Sequence, residues 1–130
     1  LASLSGENKP EKKTIDIKLA ISAYISDDYI HEDRVRLELY RRLSKASDIQ
    51  DIYKIEEEME DRFGKPDIFT KQFIELIIIK ILALNLGIQS ISSYEMNITF
   101  TKANDTKETI KSPSKDDDDI IATTLRYLRK

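Results

Sequence analysis

With 130 residues, the chain suits one folded unit around one core, and its 40% hydrophobic content is ordinary for a globular protein. Charged residues reach 35%, yet 24 acids outweigh 21 bases and the formal net charge is −3, where a free-standing nucleic-acid binder would carry a basic excess. The absence of cysteine excludes disulfides and thiolate metal sites.

Residues 1–14 are small, polar and lysine-rich, and are expected to form a linker or frayed terminus ahead of a single domain over 15–130. They hold no apolar stretch of signal-peptide length. "TIDIKLAISAYI" (14–25) opens with Ile15, Ile17 and Leu19 alternating with Asp16 and Lys18, the pattern of a half-buried strand. A polar turn follows at "SDDYI". A first helix is expected over Glu32–Ala46, with Val35, Leu39, Tyr40 and Leu43 as its apolar stripe and its acids ahead of its bases, as the helix dipole prefers. "SDIQ" reads as a capping box, Ser47 at the N-cap and Gln50 three residues on. It starts a second helix with the stripe Ile52, Ile55, Met59 and Phe63, stopped by Gly64 and Pro66.

A third helix is expected from Pro66 to about Leu86. Its segment Phe73–Leu86 is apolar nearly all round, so it should be the most buried element. The run is interrupted by Glu75 and Lys80, and is too short and too charged to span a bilayer. A cytoplasmic location without membrane contact is expected, and the lack of cysteine fits a reducing compartment. Beyond Gly87 the period changes. Tyr94, Met96, Ile98 and Phe100 stand two apart as one strand, "KANDTK" turns at Asn104–Asp105, and "ETIKS" is a short return strand. "IIATTLRYLRK" closes as a helix with Ile121, Leu125 and Leu128 inward and Asp116–Asp119 ahead of it. The fold class is therefore α+β: an N-terminal strand, a three-helix segment with a central buried helix, a small antiparallel sheet and a C-terminal helix.

No glycine-rich phosphate loop is present, and the only histidine, His31, sits at a turn with no companion pattern, as a surface residue would. The contiguous aspartates lack the spacing and the glycine of a calcium loop, and read as a helix N-terminal charge cluster. No converging catalytic set exists, so neither an enzyme nor a cofactor or metal site is expected. The stretch "EEEMED" (56–61) is more informative. On a helix, Lys54, Glu57, Glu58 and Asp61 share one face and the apolar stripe lies on another, which makes Glu57, Glu58 and Asp61 an outward acidic patch. A solvated face is the plain reading; a docking patch for a partner's arginines is the sharper one.

Two stretches, "AYISDDYIHEDRVRLELYRRL" (23–43) and "EEEMEDRFGKP" (56–66), followed by "ALNLGI" (83–88), carry an ordered set of features. These are Tyr29-Ile30, Arg36, Leu39-Tyr40-Arg41-Arg42, Asp61-Arg62-Phe63-Gly64 and Leu86-Gly87-Ile88. From about Ile15 to Ile91 the chain resembles the C-terminal domain of bacterial transcription-repair coupling factors (the Mfd family, TRCF domain). It departs from the family's pattern at Ser26 and His31, where prolines are usual, at Glu60, where an apolar residue is usual, and in a shortened loop after Gly64. The end of the chain matches only in style.

The resemblance implies a large ATP-dependent double-stranded DNA translocase that displaces stalled RNA polymerase and recruits the excision-repair sensor UvrA, its motor lying outside this chain. It further implies that this domain has no catalysis of its own. On this resemblance the domain is expected to mask the parent's UvrA-binding module as an intramolecular lock, with Glu58 and Asp61 facing that module's arginines. Glu57 is added from its place beside them. Phe63 is expected in the core, and Arg62 to pair with an acid of the first helix. The alternative is a nucleic-acid-contacting domain using Arg34, Arg36, Arg41, Arg42 and Lys45 of the first helix. Solvation and ion pairing with nearby acids are the favoured fate of those bases.

Overall fold

The computed structural model describes residues 15–129, so the linker expected over 1–14 lies outside the described residues. Its elements are β1 (Asp16–Lys18), α1 (Asp33–Lys45), α2 (Ile49–Phe63), α3 (Ile68–Asn85), β2 (Ile88–Tyr94), β3 (Asn97–Lys102), β4 (Lys107–Lys111) and α4 (Asp117–Leu128). The strands form one sheet in the order β1-β2-β3-β4. β1 runs parallel to β2, with Ile17 beside Ile91, so the whole α1–α2–α3 segment is the crossover between them. The remaining pairings are antiparallel. This is the α+β architecture that the sequence pattern predicts.

α3 is the axis of the molecule. Asp67 caps it by accepting from the Thr70 amide at 3.0 Å. Its buried residues include Ile74, Ile77, Ile78, Ile79, Ile81 and Ala83, more than any other element buries. Ile74, Ile77, Ile78 and Ile81 join Leu39 and Leu43 of α1 and Ile52, Ile55 and Met59 of α2 in one cluster. Ile79 and Ala83 join Ile91, Ile98 and Phe100 of the sheet and Ile120, Ile121 and Leu128 of α4 in a second. A helix that is apolar nearly all round can serve two cores at once, which overrides the modest helix propensity of its isoleucines. The sheet's other face is polar; Thr99 and Thr109, for example, hydrogen-bond across strands at 3.0 Å.

Four local expectations are corrected. The N-cap of α2 is Asp48 rather than Ser47, and its carboxylate accepts from the Gln50 amide at 2.9 Å, so the expected capping box does not form. Leu86 lies beyond the end of α3 and is 57% exposed. The alternation from Tyr94 to Phe100 is two strands, not one. Tyr94 pairs with Asn97 across a two-residue turn at Glu95–Met96. Glu95 adopts a φ of 54°, and the Met96 carbonyl is fastened by the Ser112 amide at 2.7 Å. No glycine or proline marks this turn, and the period-2 pattern runs through it. Finally, α4 begins at Asp117, so three of the four aspartates form its first turn instead of preceding it.

Candidate protein-docking face

The acidic run of α2 is divided by the helix into separate environments. Ile52, Ile55 and Met59 face the core. Glu56 turns toward α3, where its largely buried carboxylate accepts from Lys71 Nζ at 2.9 Å. Nearby, burial raises the pKa of Glu75, against the charge of Lys71. Glu58 turns the other way, toward α1. Arg42 grips it with both prongs of its guanidinium, Nη1 to Oε2 at 2.7 Å and Nη2 to Oε1 at 2.8 Å. Arg62, one turn along α2, approaches the same Oε2 at 3.4 Å.

The Arg42 hydrogen bonds hold the Glu58 carboxyl below the usual carboxylate range, and the same bonds raise the arginine's own pKa. A depressed folded-state value means that the pair's contribution is present above the unfolded carboxylate pKa. It is lost as pH falls through the folded one. Both side chains are 38% exposed, so the fork sets geometry more than it adds stability.

Glu57 and Asp61, the other acids expected here, are exposed and have no ion pair among the described residues. Lys54 makes none with them either. Glu60, which sequence reasoning did not assign to the site, is exposed beside them at three residues from Glu57, a spacing that could have found it. The unpaired acidic face is therefore Glu57, Glu60 and Asp61, with Glu58 at its border, engaged within the domain. Arg42 was also missed as a site residue. Its place next to Leu43 on the edge of the apolar stripe of α1 is the signal that it faces α2.

The end of this face is fixed by aromatic contacts. Arg62 pairs with Glu58 of its own helix, not with an acid of α1, and its guanidinium lies 4.8 Å from the Phe63 ring centre. Phe63 packs against the helical core and meets Tyr29 edge-on at 6.0 Å. The Tyr29 hydroxyl donates to the Gly64 carbonyl at 2.6 Å. Burial, with the charges of Glu60, Asp67 and Glu56, pushes its pKa up to about 12.

The bases of α1 are similarly sorted. Arg36 donates to the Ile30 carbonyl at 2.5 Å and pairs with Asp33, and Arg42 is spent on Glu58. Arg34, Arg41 and Lys45 are exposed and unpaired among the described residues. At the far end of the molecule, Asp117 accepts from the Ser22 amide at 2.9 Å and from Gln72 at 3.2 Å, tying the segment after β1 to α3 and α4. Asp116, Asp118 and Asp119 cluster at the α4 N-terminus, where Ser114 donates to Asp119 at 2.6 Å. His31 is exposed, its Nδ1 3.2 Å from the Asp27 carbonyl. No helix among the described residues is long and apolar enough to cross a membrane.

The TRCF domain family matches residues 19–112. Transcription-repair-coupling factors of two Helicobacter pylori strains are each 46% identical to this chain, over 96% and 97% of it, and that of Rickettsia prowazekii is 32% identical over 60%. The chain spans only 12–13% of the length of the two Helicobacter relatives. A crystal structure of the C-terminal domain of a transcription-repair coupling factor superposes with a TM-score of 0.65, at 24% identity, over 70% of this chain and 56% of its own. The chain belongs to the TRCF domain family, the family of domains found in transcription-repair coupling factors.

Proposed function

We propose that this domain is an autoinhibitory docking module of a transcription-coupled repair translocase, and that it masks the parent's UvrA-binding module through the acidic face of α2. The observation that carries this reading is the face itself. Glu57, Glu60 and Asp61 stand unpaired on a helix pinned to its neighbours by Glu56–Lys71 and Glu58–Arg42. A rigid acidic surface in a domain without a converging catalytic set fits an arginine-bearing protein face. Charge pairs give specificity and release more readily than an apolar seam, which suits a lock that must open. On this reading the parent couples ATP-driven movement on double-stranded DNA to RNA polymerase displacement and UvrA recruitment, with its motor outside this chain.

The test is purified UvrA capture by the full-length parent protein, wild type against Glu57→Arg plus Asp61→Arg. Charge reversal is expected to unmask the module and raise capture by about tenfold or more, the scale of close interfacial charge pairs. Unchanged capture with the fold intact sinks the reading. Glu58→Arg is the poorer variant, because it also places a third guanidinium beside Arg42 and Arg62. Duplex DNA binding by this chain with a steep salt dependence, lost on reversal of Arg34, Arg41 and Lys45, would favour the nucleic-acid reading instead.

A further inference from the structure

Glu58 lies between two guanidiniums of its own domain. The Arg42 fork takes both oxygens and Arg62 leans on one of them, so Glu58 and its two direct partners together sum to one positive unit. Arg42 also lines a shallow groove between α1 and α2 together with Lys45 and Lys54, against the single acid Asp51 among the described residues. A carboxylate offers about four lone-pair sites, so a further arginine would find stereochemical room at Glu58 but would meet the two guanidiniums already bound there. Glu57 and Asp61 carry no such burden.

We propose that Arg42 is an internal competitor for the partner's arginine: it occupies Glu58 while the lock is open, and closing the lock exchanges one arginine for another at that carboxylate. The inference rests on the docking reading above and assigns Arg42 as its regulator. An exchange gains far less than a new ion pair, because the bond made replaces a bond of the same kind, so the lock stays weak enough to release. Arg42 sits in the last turn of α1, where the displaced guanidinium can fall back on the helix's negative end. Its competition is reversible for that reason, and no part of the fold has to open.

Two readouts test it. In this chain, carbon-detected NMR of the Glu58 carboxyl follows its titration in wild type, Arg42→Gln and Arg42→Lys. In the full-length parent, capture of purified UvrA follows the lock. Arg42→Gln is expected to move the Glu58 midpoint up toward the ordinary glutamate range. It should also lower UvrA capture about fivefold, the scale of one unit charge acting at contact distance through water. Arg42→Lys keeps the charge but loses the fork, and should fall between the two in both readouts.

If the midpoint moves while capture is unchanged or rises, Arg42 positions Glu58 rather than competing for it, and the proposal is overturned. An unmoved midpoint overturns it as well, since the pair then does not form. If reversing Glu57 and Asp61 leaves capture unchanged, the docking reading itself has failed and takes this inference with it, although the titration still reports the pair.

Discussion

Replacing Phe100 by alanine should cost about 3–5 kcal/mol, the usual loss for a fully buried phenylalanine. The side chain is 0% exposed, and its ring stacks on Tyr127 with centroids 4.0 Å apart. Around it are Ile91 and Ile98 of the sheet, Ile120 and Ile121 of α4, and Ile79 and Ala83 of α3. Such a cost is a large part of the roughly 5–15 kcal/mol that holds a domain of this size folded.

The consequence reaches the candidate docking face because α3 belongs to both cores. Ile79 and Ala83 face the sheet, while Ile74, Ile77, Ile78 and Ile81 face the helices that carry Arg42 and Glu58. One transition should therefore be seen. Urea unfolding of Phe100→Ala, followed by far-ultraviolet circular dichroism and by tyrosine fluorescence, should give coincident curves shifted to lower denaturant. A loss below about 1 kcal/mol would contradict this packing. So would a sheet transition separate from the helical one.

What the sequence reveals and what it hides follow from the range of the interactions. α3 is legible because its apolar residues surround the helix, a pattern that only a doubly buried element tolerates. The half-buried β1 is legible from Ile15, Ile17 and Leu19, which are partly buried while Asp16, Lys18 and Ala20 are exposed. Its parallel partner is not legible, because pairing with β2 is decided across three helices. The turn at Glu95–Met96 is hidden because Glu95 takes a positive φ without the glycine or asparagine that usually announces it.

At the candidate docking face, helical spacing locates the acids but cannot say which of them meets a base from another element. Glu56 and Glu58 are neighbours of Glu57 in sequence, yet they point to Lys71 and Arg42 on opposite sides of α2. A one-helix projection treats Glu58 as solvent-facing. The arrangement of α1 against α2 turns it into the border between fold and face.

Gly64 should resist every replacement, asparagine included. It ends α2 with φ 85° and ψ −173°, a region that essentially only glycine occupies. Asparagine rescues glycine at many helix ends because it tolerates the left-handed helical region, where ψ lies near +47°. Here ψ is extended, so that rescue is unavailable. A Cβ added at Gly64 would meet nothing within 4 Å, and the penalty is therefore torsional rather than a clash.

Both polar groups of Gly64 are used. Its amide donates to the Glu60 carbonyl at 2.9 Å and its carbonyl accepts from Tyr29 at 2.6 Å, so the residue cannot relax without releasing the end of α2. Gly64→Ala and Gly64→Asn are each expected to lose about 1–3 kcal/mol in urea unfolding. Because the strained turn directly follows Asp61, Arg62 and Phe63, the proposed function also predicts that both variants weaken masking of the UvrA-binding module in the full-length parent. If asparagine restored wild-type stability while alanine did not, Gly64 would be an ordinary left-handed cap. If neither substitution mattered, the backbone at Gly64 would impose no torsional penalty on a side chain, and the strain assigned to this turn would be refuted.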